Sequence, residues 1–380
     1  MIGVLLFVSI FLIIYGTINF IFYRAYTKAY KKGKLLLGIY LLIQTFLPVI
    51  WRILDRSGFT AISPILAFTS LVWMGFVIYF FISYLIIKLI SFKLSFDRKI
   101  FFLSCLIISS ILSIYSYIET LNPETLHYII RTNKLPEGKK LRILHTSDLH
   151  LGPLMREYRI NIVREAFERY KPHILVVTGD FVDGNMKDLM YLADMLSTMK
   201  PPLGKYSVTG NHEFYVGYEQ AIEFMRKAGF RVLRGEHVDL GYVIIAGVDD
   251  DEGLRRNSKA LTEEDEVLRD IDTSKFVILL KHKPIVNRKI IDKIDLQLSG
   301  HTHGGVLFFI GYLVLDFMFE TNRGIKEIGN NKYIIVSKGV GTGGPPMRLL
   351  SPPDVVIVDI VGTSKTKGKL GEFGDTGHIF

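Results

Sequence analysis

"LRILHTSDLHLG", residues 141–152, carries an apolar, β-prone run straight into an aspartate and a histidine. The run reads as a buried strand, and "REYRINIVREAFERY" (156–170) after it reads as an amphipathic helix. "HILVVTG" (173–179) is the next strand. The alternation continues with helix "KDLMYLADMLSTM", strand "KYSVTG" and helix "YEQAIEFMRKAG". Later strands are "YVIIAG", "KFVILLKH", "DLQLSG", "KYIIVSKG" and "DVVIVDI". Strands of this kind, flanked by helices, indicate an α/β domain over 141–361.

Five of these strands end in side chains able to bind metal. Asp148 and His150 follow the first, and Asp180 follows the second with Asp183 close behind. Asn211, His212 and Glu213 follow the third, His282 the fourth, and His301 and His303 the fifth. Sites in open α/β sheets form at the carboxyl ends of strands. In extended backbone, residues two apart point to one side, so Asp148 and His150 can aim at one point, as can His301 and His303. Gly179, Gly210 and Gly300 permit tight turns beside them. Taken alone, His-X-His is more often a polar loop than a ligand pair, and a lone Gly-Asp after a strand is usually a turn. Five such ends in succession favour a metal site. Imidazole and carboxylate without thiolate suit Mn, Fe, Zn or Ni in preference to Mg or Ca.

The rest of the chain has a different character. Of its 380 residues 49% are apolar, but the first third is almost wholly Leu, Ile, Phe and Tyr. Apolar runs at about 1–23, 35–54, 62–90 and 100–118 approach or exceed the roughly 20 residues a membrane span requires. The second is interrupted by Pro48 and ended by Trp51 and Arg52, so a re-entrant or interfacial segment is the alternative there. The first has no basic n-region or cleavage site and reads as an anchor. Residues 1–119 are therefore expected to form an all-α transmembrane anchor of about four helices.

The net charge of +9 is concentrated between these runs and reads as a topology signal. Arg24, Lys28, Lys31, Lys32 and Lys34 fill the first loop, and Lys88, Lys93, Arg98 and Lys99 the third. Both loops then face the cytoplasm, which puts the catalytic domain on the extracytoplasmic side of a multi-pass cell-membrane protein. No basic helix or finger spacing supports nucleic-acid binding. The single cysteine, Cys105, excludes an internal disulfide. Residues 120–140, polar and containing proline, read as a linker, and 362–380 as a flexible tail.

"SDLHLG", "GDFVDG", "GNHEF", "KHKP" and "GHTHGG", in that order, resemble the calcineurin-like metallophosphoesterases, and the closing "VSKGVGTGGPPMRLLSPPDVVIVDI" is similar to their membrane-associated bacterial branch. The resemblance covers about 141–360 and implies a four-layer α-β-β-α sandwich holding two divalent metal ions. It implies Asp148, His150 and His303 at the first metal, Asp180 bridging, and Asn211, His282 and His301 at the second. It implies His212 as the group that contacts the phosphoryl and protonates the leaving oxygen, with Asp180 also counted as catalytic. Asp183 and Glu213 would orient ligands from behind. Departures from the branch at Val306, Lys338 and Asp354 fall outside this set. Arg348 reads either as a contact to a second phosphate or as a structural arginine.

"VLFFIGYLVLDFMF", residues 306–319, follows the last histidine pair. It reads as a buried strand, or as a lip bearing Phe308, Phe309 and Phe317 that dips into a membrane or receives acyl chains. The function expected is hydrolysis of a lipid or cell-envelope phosphoester. The alternatives are a pyrophosphohydrolase of a nucleotide-linked lipid precursor, like the related UDP-diacylglucosamine hydrolases, and a catalytically silent membrane receptor.

Overall fold

The computed structural model describes residues 2–91, 97–255, 263–305, 309–364, 372–373 and 377–378. The chain divides into two units: residues Met1–Ile118 with Gly344–Leu349, and Glu119–Gly343 with Leu350–Phe380.

Helices α1 (Ile2–Ala29), α2 (Lys34–Arg56), α3 (Ser63–Ile90) and α4 (Arg98–Thr120) supply the first unit. Each is long and apolar enough to cross a membrane. Helix α2 is continuous through Pro48, in keeping with the span expected over 35–54. Phe22, Phe80, Phe102 and Cys105 are buried between helices. Two polar pairs tie helices together, as suits a medium that offers no water to lone donors. The Trp73 indole N–H donates to Asn19 Oδ1 at 2.9 Å, and Tyr79 and Ser116 share a hydroxyl–hydroxyl bond of 2.8 Å.

The second unit begins with β1 (Glu124–Thr132), β2 (Lys140–Thr146), α5 (Arg156–Tyr170), β3 (Ile174–Thr178) and α6 (Met190–Ser197). Next come β4 (Lys205–Val208), α7 (Asn211–Val216), α8 (Tyr218–Lys227), β5 (Arg231–Val232), β6 (Glu236–Asp239) and β7 (Val243–Gly247). After α9 (Glu252–Arg255) and α10 (Glu264–Val267) lie β8 (Phe276–Leu280) and β9 (Leu296–Ser299). The last elements are α11 (Phe309–Met318), β10 (Gly324–Gly329), β11 (Lys332–Val336), β12 (Asp354–Gly362), β13 (Glu372–Phe373) and β14 (Gly377–His378).

One sheet runs β13-β1-β12-β2-β3-β4-β5, with β14 also on β1, and the other runs β10-β11-β9-β8-β7-β6. Alternating side chains explain the layering. Ile143, Ile174, Val176, Val356 and Val358 of the first sheet pack with Ile245, Ile278, Leu298 and Ile335 of the second. Their sequence neighbours Leu144, Leu175, Val177, Val355 and Ile357 turn outward onto Ile160, Val163, Leu192 and Phe224 of α5, α6 and α8. Ile244, Val277, Leu279 and Ile334 turn to the opposite flank, where Val267 and Leu268 cover them. The result is the four-layer α-β-β-α sandwich. The central strands β3, β4, β7, β8 and β9 are buried along their whole length, which is why they read as unbroken apolar runs, whereas the edge strands β6 and β10 carry exposed residues.

The linker expected over 120–140 is corrected. Its centre is β1, paired in parallel with β12 from Glu124↔Asp354 to Thr132↔Gly362. Tyr128 and Ile130 enter the core between the sheets, while Arg131 alternates away from it. In the tail, Glu372–Phe373 and Gly377–His378 pair antiparallel with β1, and the remaining residues beyond 364 lie outside those described.

Candidate metal centre

The ends of β2, β3, β4, β8 and β9 deliver the side chains singled out in the sequence. Asp148, His150 and His303 form one group of potential ligands, and Asp180, His282 and His301 another, each with its donor atoms within 4.8 Å of one another. Asp180 lies between them. Its Oδ2 is 3.7 Å from His150 Nε2, 3.3 Å from His282 Nε2 and 3.9 Å from His212 Nε2. Asn211 is the first residue of α7 and is buried beside them.

The convergence does not arise from the pleat. Asp148, His150, Asp180, His301 and His303 all hold positive φ, between 44° and 75°. Each kinks the chain so that neighbouring side chains diverge or converge independently of strand alternation. His301 and His303 accordingly go to different groups, which corrects the expectation that they aim at one point. Asp and His tolerate this left-handed region better than most residues. Close backbone packing makes the kinks possible: a Cβ on Gly300 would lie 1.8 Å from Ser147 Oγ, and one on Gly210 would lie 2.2 Å from Asp180 Oδ1.

The donor set fits divalent metal ions. Asp148 Oδ1 and Asn211 Oδ1 are buried and have no hydrogen-bond partner among the described residues, a costly state that a bound cation relieves. His150 Nε2 faces His303 Nε2 at 3.2 Å, and His301 Nδ1 faces His282 Nε2 at 3.1 Å. Two nitrogens at about 2.0–2.1 Å from a shared ion stand roughly 3 Å apart. Burial, reinforced by neighbouring imidazoles, pushes His150 and His301 down to about 3, so both offer lone pairs at neutral pH. At His282 burial opposes charge, but Asp180 outweighs it and pushes the imidazole up to about 10. A cation held by the same carboxylates would supply the positive charge that the cluster otherwise draws from His282.

Glu213 and Asp183, expected to orient ligands from behind, hydrogen-bond the turns and the ring around these donors, as does the carbonyl behind His282. His282 Nδ1–H donates to the Thr178 carbonyl at 2.7 Å, which aims Nε2 at Asp180. The Glu213 carboxylate is fully buried and accepts four backbone N–H groups. Oε1 takes Phe181 at 2.7 Å and Val182 at 3.2 Å, and Oε2 takes Asp180 at 3.0 Å and Gly210 at 2.6 Å. Burial and the Asp180 charge push Glu213 up to about 7 against those donors. Asp183 Oδ1 lies 2.8 Å from His212 Nδ1, leaving Nε2 of His212 toward Asp180.

Arg159, which the sequence reading passed over, belongs to the same construction. Buried on α5, its guanidinium donates to the carbonyls of Leu149, at 3.0 Å, and His150, and to Thr342 Oγ1 at 3.3 Å. The signal was its place beside Ile160 and Val163 on the face that α5 buries. Arg348 is fully buried in Gly344–Leu349, within the helical unit, with its backbone N–H on the Ser116 carbonyl at 2.9 Å. That burial favours the structural alternative for it. Phe308 lies outside the described residues, and Phe309 opens α11, a helix where a strand was the simpler expectation.

The family profile described as calcineurin-like phosphoesterase matches residues 141–305. A metallophosphoesterase of Aquifex aeolicus is 60% identical over 256 residues, covering 67% of this chain and 98% of that one. A Campylobacter jejuni metallophosphoesterase is 34% identical over 271 residues, 70% of this chain and 71% of the other. A Danio rerio protein described as a transmembrane protein with metallophosphoesterase domain is 30% identical over 268 residues, 66% and 60% of the two chains. Among solved structures, a dimetal phosphatase from Danio rerio matches with a TM-score of 0.38 at 13% identity, over 54% of this chain and 89% of that one. Donors gathered at the strand ends of a four-layer sandwich thus meet a relative matched almost end to end, and the chain belongs to the calcineurin-like metallophosphoesterases as a membrane-associated, metal-dependent phosphoester hydrolase.

Proposed function

We propose that the protein hydrolyses a phosphoester borne by a lipid or another cell-envelope molecule, at a centre of two divalent ions facing the extracytoplasmic side. The observation that carries the reading is Asp180, whose Oδ2 stands 3.7 Å from His150 Nε2 of one donor group and 3.3 Å from His282 Nε2 of the other. Asp148, His150 and His303 would hold one ion and Asn211, His282 and His301 the other, with Asp180 shared. The nitrogen and oxygen donors suit Mn, Fe or Zn. Ions bound there would neutralise phosphoryl charge and make a water molecule nucleophilic at neutral pH.

The protein's own groups then do the rest. Asp183 accepts the Nδ1 proton of His212 and fixes the ring, so that a protonated Nε2 faces the ester. As water attacks phosphorus, giving up one proton to solvent, the ester P–O bond breaks and His212 Nε2–H passes its proton to the leaving oxygen. The imidazole regains a proton from solvent through its partly exposed edge. Support for a membrane substrate comes from four spanning-length helices on the same chain, and for the side of the membrane from the Lys and Arg of the first and third loops.

The test is release of p-nitrophenol from bis-p-nitrophenyl phosphate by purified full-length protein loaded with Mn. Chelation and Asp180→Asn should each abolish it. Turnover that survives both removes the metal centre from the reaction. A reporter fused after Phe380 should be active only outside the cytoplasm, and activity inside would reverse the proposed orientation.

A further inference from the structure

The α11 helix presents an apolar face to solvent rather than to a core. Val314, Phe317 and Met318 stand at i, i+3 and i+4, hence on one side, and are 50%, 93% and 63% exposed. Such spacing normally marks the stripe that a helix buries. Both ends of this helix are fastened to the histidine loop. At its start, a Cβ on Gly311 would lie 3.1 Å from the Gly305 carbonyl, two residues beyond His303. Just past its end, the Phe319 ring stands edge-on to the His301 imidazole with centroids 6.0 Å apart. Thr302, between the two histidines, donates its hydroxyl to the Asn322 carbonyl at 2.5 Å. The 10-residue helix is about 15 Å long, so the stripe lies within one helix length of the donors.

We propose that this stripe seats the hydrocarbon tail of the substrate, and that the centre therefore selects phosphoesters with an alkyl arm. The inference rests on the phosphoesterase reading above and names the substrate class of that same site. A polar headgroup at the donors and an apolar chain along α11 are two ends of one amphiphile. Val314, Phe317 and Met318 form an open row along the helix axis, which suits a linear chain better than a ring system or a peptide. Gly311 lets the helix approach Gly305 closely, keeping the start of the stripe next to His303.

The experiment uses p-nitrophenyl phosphodiesters with methyl, butyl or octyl second arms, each below its aggregation concentration, and full-length Mn-loaded protein in lipid nanodiscs. Covering a methylene completely is worth about 4-fold, and covering it on one side roughly 2-fold. The octyl-to-methyl ratio of kcat/KM should then be on the order of 100 in the unaltered protein. It should fall to about 10 or less in Val314→Ser/Phe317→Ser/Met318→Ser. All three replaced side chains are solvent-facing, and metal content with thermal midpoint checks that the variant is folded. A ratio near one, or an equal ratio in both proteins because the lipid disc alone concentrates the longer chain, overturns the inference. Equal turnover of all three esters removes only the tail seat. Absence of metal-dependent turnover of every ester, methyl included, removes the phosphoesterase reading and the seat with it.

Discussion

Glu213→Gln exchanges one oxygen for an amide nitrogen and changes almost no volume. In the native protein each carboxylate oxygen accepts two backbone N–H groups, so all four donors are satisfied. An amide has a single acceptor oxygen. Whichever way it turns, its NH2 faces two buried N–H donors that then have no acceptor. At about 1–3 kcal/mol for each orphaned donor, the loss is about 2–6 kcal/mol, a large part of a typical folding free energy. For a domain of this size each kcal/mol moves the midpoint by about 2–4 °C, giving a fall on the order of 10 °C. The donors belong to the turns that carry Asp180 and Asn211, so Mn affinity should drop by roughly 10–100-fold as well. Differential scanning fluorimetry and Mn titration by calorimetry, both at pH 8 where the native side chain is ionised, read the two effects. A midpoint within about 2 °C of the unaltered protein together with undiminished Mn affinity would refute the assignment of Glu213 as the clasp of these turns.

Arg159→Ala should leave the buried carbonyls of Leu149 and His150 without their donor and weaken Mn binding by roughly 10–100-fold, with Arg159→Lys recovering part of it. Equal calorimetric affinity in all three proteins would deny Arg159 any hold on the ligand loop. Asp359, on β12 opposite Arg142, is fully buried and paired with Arg142 at 2.8 Å, Lys140 at 2.7 Å and His127 at 2.7 Å. Burial opposes its charge, but these partners hold its carboxyl down at about 2. A depressed carboxyl stabilises the fold above its ordinary pKa, and that stabilisation disappears as pH falls through about 2. Asp359→Asn should therefore cost about 1–2 kcal/mol more at pH 6 than at pH 2 in denaturant titrations, and a pH-independent difference would contradict the pairing.

The chemistry was legible because each donor sits immediately after an apolar run, where period and punctuation are both strong. "RILHTSDLH" and "LQLSGHTHGG" announce a strand and its functional end in the same breath. Strand β1 was not legible, because "LHYIIRT" mixes His127 and Arg131 into a run only as apolar as its half-buried place requires. His127 faces a partner far along the chain, Asp359, which no local pattern reveals. The left-handed kinks at Asp148 and His150 escaped for a related reason: they are imposed by neighbours such as Gly339 and Gly341, whose missing Cβ atoms make room against Asp148 and Leu149. For the run after His303, Gly311 was the clue to a close approach, but nothing nearby distinguishes a strand from a short helix.

The same five kinks limit what can replace the residues that occupy them. A left-handed backbone costs a β-branched or bulky side chain of order 1–3 kcal/mol, whereas Asn and Gly adopt it readily. Positions 148, 150, 180, 301 and 303 are therefore filtered twice, once for what can donate to a cation and once for what can bend that way. A descendant that abandons hydrolysis but keeps its architecture should drift at these places toward Asn and Gly before Ala or Val. The record of lost chemistry in such a lineage would be written in residues that still fit the turn.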